Sequence, residues 1–122
     1  MKARIKNNKD SIVLYVGGKV DYETQDSVCQ FINQTIERNQ KDETPKKIIM
    51  NFEALDFVGS SGITQFVQQL KQIHHDNHTT PKYCSVRSEF QKIIKAFDEE
   101  NEFEFFDDEA LTRRGGKPII NQ

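Results

Sequence analysis

Long hydrophobic runs are missing from this chain of 122 residues. No stretch is apolar over the length that a membrane-spanning helix needs. The basic start, residues 1–8, is not followed by the apolar segment of about seven or more residues that a secretory signal requires. Lysine and arginine are also not gathered into a stripe, since the net charge is −2 and both signs are interspersed. We therefore expect a cytoplasmic protein without a transmembrane segment and without a nucleic-acid partner.

Cysteine is scarce, and there is no internal repeat or low-complexity tract. Cys29 and Cys84 are far apart and lie in apolar-patterned segments, so they do not form a disulfide framework. We expect both to be reduced thiols in the core. The length fits a single domain. We place this domain at residues 1–114 and a polar C-terminal tail at residues 115–122.

Strands are predicted where short apolar runs are bounded by turn residues. Ile12–Val16, stopped by Gly17 and Gly18, is typical of a buried strand, and Ala3–Ile5 is placed to pair with it as a hairpin. A second buried run begins at Ile48 and is expected to continue as one strand to Val58. Further short strands are predicted at Tyr83–Val86 and Phe103–Phe106.

Helices are predicted where apolar residues recur at steps of three and four. Thr24 is a plausible N-cap of the first helix, Ser88 and Gln91 form an S-x-x-Q capping-box pattern for the third, and Asp107 or Asp108 caps a short fourth. The apolar stripes of the first three helices are Val28, Phe31, Ile32 and Ile36; Ile63, Phe66, Val67, Leu70 and Ile73; and Phe90, Ile93, Ile94 and Phe97. The predicted order is ββαβαβαβα, an α/β fold in which helices cover a mixed, mostly parallel sheet.

The second helix begins at an unusual turn, Gly59-Ser60-Ser61-Gly62. Either serine can be an ordinary N-cap, with the glycines allowing the tight turn. Alternatively, a phosphate on a serine would meet unpaired amides and the positive end of the helix dipole. Phosphorylation adds about −1.5 to −2 charge, enough to disrupt the docking of a protein partner.

Two motifs resemble those of STAS domains. Residues 55–63 are similar to the family signature of apolar residues followed by Asp-Ser-Ser/Thr-Gly-Leu/Ile at a helix start. Gly18-Lys19-Val20-Asp21 resembles the family's Gly-x-Leu/Val-Asp turn before its first helix. The order of elements also agrees, so the resemblance covers nearly the whole chain. Gly59 departs from the pattern, because the family commonly has aspartate before the serine pair.

The resemblance implies a non-catalytic, protein-binding anti-sigma factor antagonist without a cofactor. In that group the first serine of the pair is phosphorylated by a partner that is both serine kinase and anti-sigma factor. By this match Ser60 is the phosphoacceptor and Ser61 the second choice. The partner-binding residues would be Asp21, Tyr22, Gly59, Ser60, Ser61, Gly62 and Ile63. An alternative role is a STAS subunit of a transporter or signalling scaffold, which docks without being phosphorylated.

Other residue patterns in the sequence give weaker indications of function. His74 and His78 have the i, i+4 spacing of metal ligands, but no acid or cysteine set lies nearby in sequence, so we expect no metal site. The roles of His74, His75 and His78 stay open. The acidic stretch, residues 98–109, is interpreted as a solvated edge. No phosphate-binding loop or nucleophile elbow is present. A receiver domain with Asp56 as phosphoacceptor is a further alternative, although Gly17 and Gly18 stand where its acidic pair is expected.

Overall fold

The computed structural model describes residues 2–21, 23–57 and 61–119. Within them the chain alternates strands with helices, as the periodicity predicts. The elements are β1 (Lys2–Asn7), β2 (Ser11–Val20), α1 (Gln25–Gln40), β3 (Lys47–Asn51), β4 (Leu55–Phe57), α2 (Ser61–Asn77), β5 (Lys82–Cys84), α3 (Ser88–Ala96), β6 (Glu104–Phe106) and α4 (Glu109–Arg113).

The strands form one mixed sheet in the order β1-β2-β3-β5-β6, with β4 paired to β2 outside this path. β1 and β2 are antiparallel, with Ile5 opposite Leu14, which confirms the opening hairpin. The pairs β2–β3, β2–β4, β3–β5 and β5–β6 are all parallel. The predicted mixed, mostly parallel α/β fold is confirmed.

The prediction that Gly17 and Gly18 stop the second strand is wrong. β2 continues through both glycines to Val20, and Gly18 has a positive φ of 89° that glycine adopts easily. The expectation of one strand from Ile48 to Val58 is also wrong, because β3 ends at Asn51 and the chain turns before β4 begins at Leu55. β2 thus pairs with β3 along its first half and with β4 along its second half.

Helices cover the two faces of the sheet unequally. The larger core cluster joins α1, α2 and α3 to one face, and the five predicted α2 residues, Ile63, Phe66, Val67, Leu70 and Ile73, are all buried in it. Alternate strand residues point to the other face, where Val13, Ile49, Cys84 and Phe106 form a smaller cluster. The short helix α4 contacts β3, β5 and β6 there.

Of three predicted details of the helices, the N-cap residue of α1 is confirmed, whereas the capping box of α3 and the burial of Phe31 are not. Thr24 is the N-cap residue of α1, as predicted, although its side chain makes no capping bond to the helix. The capping box is wrong, because Arg87 occupies the N-cap of α3 and the Gln91 side-chain amide donates instead to the Val86 carbonyl at 2.8 Å. Phe31, predicted on the buried stripe of α1, is 36% exposed.

Both cysteines, Cys29 and Cys84, are buried and free, which agrees with the expected reduced thiols. No helix in the described ranges is long and apolar enough to cross a membrane. The segment after α4 returns to the sheet, where the Ile119 amide donates to the Phe105 carbonyl at 2.6 Å. Ile119 also packs against the larger core cluster.

Candidate functional site

The two family-like motifs meet at one edge of the sheet. β2 and β4 run parallel, with Val20 opposite Phe57, so the chain leaves both strands at the same edge. Asp21 follows β2 directly, and residues 58–60 follow β4. The entrance to α2 closes the arrangement, since a Cβ atom placed on Gly62 would lie 3.6 Å from the Val20 carbonyl oxygen. The Asp21 turn and the start of α2 are therefore neighbours.

Asp21 is exposed and organises the turn before α1. One of its carboxylate oxygens, Oδ1, accepts hydrogen bonds from the amides of Glu23 and Thr24 and from the Thr24 hydroxyl, each at 2.9 Å. Its backbone carbonyl accepts from the Gln25 amide at 3.2 Å. The bonds from Thr24 hold the pKa of the Asp21 carboxyl below its usual value, because they favour the charged form. Asp21 thus fixes the turn and still presents a negative charge to solvent.

The start of α2 is anchored in the core and carries no acidic residue in its first turn. Ile63 is 1% exposed and packs in the core, and Gly62 is buried beside Val20. Of these two predicted docking residues, neither offers a side chain to solvent, and their evident role is to fix the helix entrance. The first turn of α2 contains no acidic residue. The positive end of the helix dipole is therefore not offset by a carboxylate from the helix's own first turn.

Three of the predicted site residues, Tyr22, Gly59 and Ser60, lie outside the described residues. Ser61 is the first residue of α2. The structure therefore describes only the frame of the predicted site: Asp21, which directly follows β2, and Gly62 and Ile63 in the first turn of α2.

Arg87 is a neighbour of this frame that the sequence did not single out. Its guanidinium lies 2.7 Å from the Asp56 carboxylate, and both side chains are more than half exposed. Arg87 is the N-cap residue of α3, which follows β5 and so belongs to the same edge of the parallel sheet. No motif links Asp56 to Arg87, because the contact joins separate segments of the chain. The ion pair places one cation and one anion at the edge where β4 ends.

The three histidines near the end of α2 have different environments. His74 is 3% exposed, and its Nε2 lies 2.7 Å from the Tyr83 hydroxyl, so it is a core residue. Burial lowers the pKa of His74 to about 4. His75 is exposed and contacts Glu102, with Nε2 2.8 Å from the carboxylate. His78 follows the helix with a positive φ of 51°. His74 and His78 therefore do not form the shared site that their spacing would allow.

The STAS domain family matches residues 2–111, which is most of the chain. The chain belongs to the STAS domain family. A search among curated protein sequences found no match.

Solved structures of STAS proteins share the fold at low sequence identity. The unphosphorylated anti-sigma factor antagonist SpoIIAA is 18% identical over 98% of this chain and 100% of its own, with a TM-score of 0.61. Phosphorylated SpoIIAA from Bacillus is 16% identical over 93% of this chain and 99% of its own, with a TM-score of 0.59. RsbS from Moorella thermoacetica, carrying a serine-to-glutamate substitution, is 12% identical over 94% of both chains, with a TM-score of 0.66.

The family assignment removes the support for the receiver alternative. Asp56 lies in the three-residue strand β4, outside the main path of the sheet, and its carboxylate is paired with Arg87.

Proposed function

We propose that this STAS domain is a non-catalytic, cytoplasmic anti-sigma factor antagonist. It binds a serine kinase that is also an anti-sigma factor, and phosphorylation of Ser60 releases it. The docking surface is the Asp21 turn together with the serine turn at the entrance to α2. This docking surface, the switch edge, comprises Asp21, Tyr22 and residues 59–63.

The adjacency of the Asp21 turn and the start of α2 is the observation that carries this proposal. Val20 and Phe57 are register partners, and Gly62 packs against Val20, so one partner surface can contact both turns at once. A phosphate on the serine turn would add negative charge near the exposed carboxylate of Asp21. Like charges at one edge repel an acidic partner surface, which gives phosphorylation a direct route to block binding.

Similar proteins support the same role. One structural neighbour is named an anti-sigma factor antagonist in its unphosphorylated form, and another is named a phosphorylated form of the same protein. A third carries glutamate in place of a serine. These descriptions belong to those proteins, and we extend the phosphorylation cycle to Ser60 through the position of Ser60 in the family motif.

Phosphorylation is tested with a candidate kinase encoded near this protein's gene. The full chain is incubated with kinase and ATP, and the peptide spanning Gly59 to Phe66 is analysed by mass spectrometry. We expect one phosphate on Ser60, lost in Ser60→Ala and retained in the matched variant Ser61→Ala. Retention in Ser60→Ala with loss in Ser61→Ala would move the acceptor to Ser61. An unmodified peptide with a kinase that is active on its own substrate would refute the switch.

Binding is tested separately with the unmodified chain. Ser60→Asp and Asp21→Ala should each weaken capture of the immobilised kinase. Asp42→Ala is the matched control, because Asp42 is an exposed acid in the loop after α1. Equal weakening by the control, or none by the two switch-edge variants, would place docking on another face.

A second candidate function is a STAS subunit of a transporter or signalling scaffold that docks without phosphorylation. Gly59 favours it, since an aspartate that normally precedes the serines is missing. Asp56, the nearest upstream carboxylate, is held by Arg87 at 2.7 Å. Capture of a partner through the switch edge, with no phosphate on the Gly59 to Phe66 peptide, would favour this function. A gene for a transporter subunit beside this one would point the same way.

A further inference from the structure

A cluster of one histidine and two glutamates lies apart from the switch edge. His75 is near the C-terminal end of α2, whereas the switch edge includes its N-terminal end. Nε2 of His75 is 2.8 Å from Glu102 Oε1 and 3.6 Å from Glu100 Oε2. One ligand atom from each of the three residues lies within 4.8 Å of the other two. The three side chains converge although they come from segments distant in sequence.

The loop between α3 and β6 places the two glutamates. The buried carboxylate of Asp98 accepts from the amides of Glu102 and Phe103, at 2.7 and 2.9 Å, and so fixes the loop backbone. Asn101 has a positive φ of 57°, which turns the chain between the two glutamates. These contacts hold Glu100 and Glu102 on the same side of the loop as the exposed imidazole of His75.

The buried residue His74 also orients the Glu102 carboxylate. Oε2 of Glu102 lies 3.4 Å from Nδ1 of His74, while the other imidazole nitrogen of His74 bonds the Tyr83 hydroxyl. The Glu102 side chain is only 13% exposed, and its Oε1 is the atom directed at His75. Carboxylates held in this way by a second residue are a common support for metal ligands.

We propose that His75, Glu100 and Glu102 bind a divalent transition-metal ion, with Zn²⁺ the best match. One imidazole nitrogen and two carboxylate oxygens are ligands that Zn²⁺ accepts, and three protein ligands leave a position for water. Ligand atoms about 2.1 Å from a tetrahedral ion are about 3.4 Å apart. The observed separations of 2.8 and 3.6 Å lie on either side of that value, so small side-chain rotations complete the site.

The ion would tie the end of α2 to the loop before β6. The two carboxylates carry two negative charges beside a neutral imidazole, and a divalent cation neutralises them. Because the imidazole is a ligand that Mg²⁺ does not favour, the site should select Zn²⁺ or Co²⁺ over Mg²⁺. The proposal is independent of the switch edge and of any protein partner.

Calorimetric titration of the full, EDTA-treated chain with ZnCl₂ tests the site. We expect saturable binding of one ion in the micromolar range, and no saturable heat with MgCl₂. Titration with CoCl₂ should give the visible absorption bands of a tetrahedral or five-coordinate ion. His75→Gln and Glu100→Gln should each weaken Zn²⁺ binding by about tenfold or more. Both residues are exposed, so the variants are expected to fold, and thermal melting without metal checks this.

The matched controls are His78→Gln and Glu99→Gln, an exposed histidine and an exposed glutamate outside the cluster. They should bind Zn²⁺ as the unchanged chain does. The proposal is overturned if the unchanged chain shows no saturable Zn²⁺ binding. It is equally overturned if the controls weaken binding as much as the cluster variants, or if His75→Gln and Glu100→Gln leave it unchanged.

Discussion

Gly17 in β2 passes so close to Ala54 that a Cβ atom on the glycine would lie 2.9 Å from the Cβ atom of Ala54. The contact occurs where the partner strand turns between β3 and β4, and the Gly18 amide donates to the Ala54 carbonyl at 2.9 Å. This close approach is what allows β4 to rejoin β2, so that both strands end at the edge where Asp21 follows β2.

Gly17→Ala should therefore destabilise the domain by about 1–3 kcal/mol, as overpacking typically does. Urea unfolding followed by circular dichroism measures the loss. The double variant Gly17→Ala with Ala54→Gly removes the opposing methyl group and should recover most of the stability. An unchanged midpoint in the single variant would show that the turn moves aside without strain.

The hydrogen bonds of Thr24 should be visible in the titration of Asp21. Thr24→Ala removes the hydroxyl donor and keeps the backbone donor, so the pKa of Asp21 should rise part of the way to its usual value. Carbon-detected NMR of the carboxyl group measures it. Ser27→Ala, an exposed change in the first turns of α1, is the control and should leave the pKa unchanged.

The same bonds predict a sign for the effect of acid. Because the pKa of Asp21 is lower in the folded chain than in the unfolded chain, its contribution to stability is complete above the unfolded pKa. That contribution is lost as the pH falls through the folded pKa. Thr24→Ala should therefore lose less stability on acidification than the unchanged chain, as measured by urea unfolding across the acid range.

The sequence predicts those elements of the fold that depend on a local residue pattern, and it fails where contacts between elements decide the structure. The stripe from Ile63 to Ile73 repeats at the helical period, and the whole of it is buried. The course of β2 beyond Gly18 was missed because local glycine preferences were outweighed by pairing with β4. The capping-box pattern at Ser88 likewise failed because the Gln91 side chain bonds the Val86 carbonyl instead.

The candidate sites also differ in whether a local sequence pattern marks them. The neighbourhood of Asp21 and the start of α2 could be predicted from sequence, because the strands that precede them, β2 and β4, carry family-like motifs and pair in parallel. Contacts between distant segments carry no spacing signal. Asp56 with Arg87, and His75 with Glu102, are brought together only by the packing of separate elements.

The ion pair between Arg87 and Asp56 should matter more for binding than for folding. Both side chains are more than half exposed, and surface pairs of this kind contribute about 0–1 kcal/mol. Arg87→Ala should leave the unfolding midpoint nearly unchanged. If the switch edge extends to Arg87, the variant should bind the partner kinase more weakly, and high salt should reduce the difference between the two proteins. Equal binding at low salt would exclude Arg87 from the docking surface.

Two adjacent aspartates precede α4, and only one of them caps it. Asp108 is the N-cap residue, and its carboxylate accepts from the Leu111 amide at 2.7 Å. Asp108→Ala should cost about 1 kcal/mol, the usual loss for a side-chain cap, because an amide in the first turn loses its partner. Asp107→Ala changes an exposed neighbour of equal charge and should be close to neutral. Since both changes remove one negative charge, urea unfolding of the pair separates capping from electrostatics. Equal losses would mean that charge, rather than the bond to Leu111, stabilises the helix over the smaller core cluster.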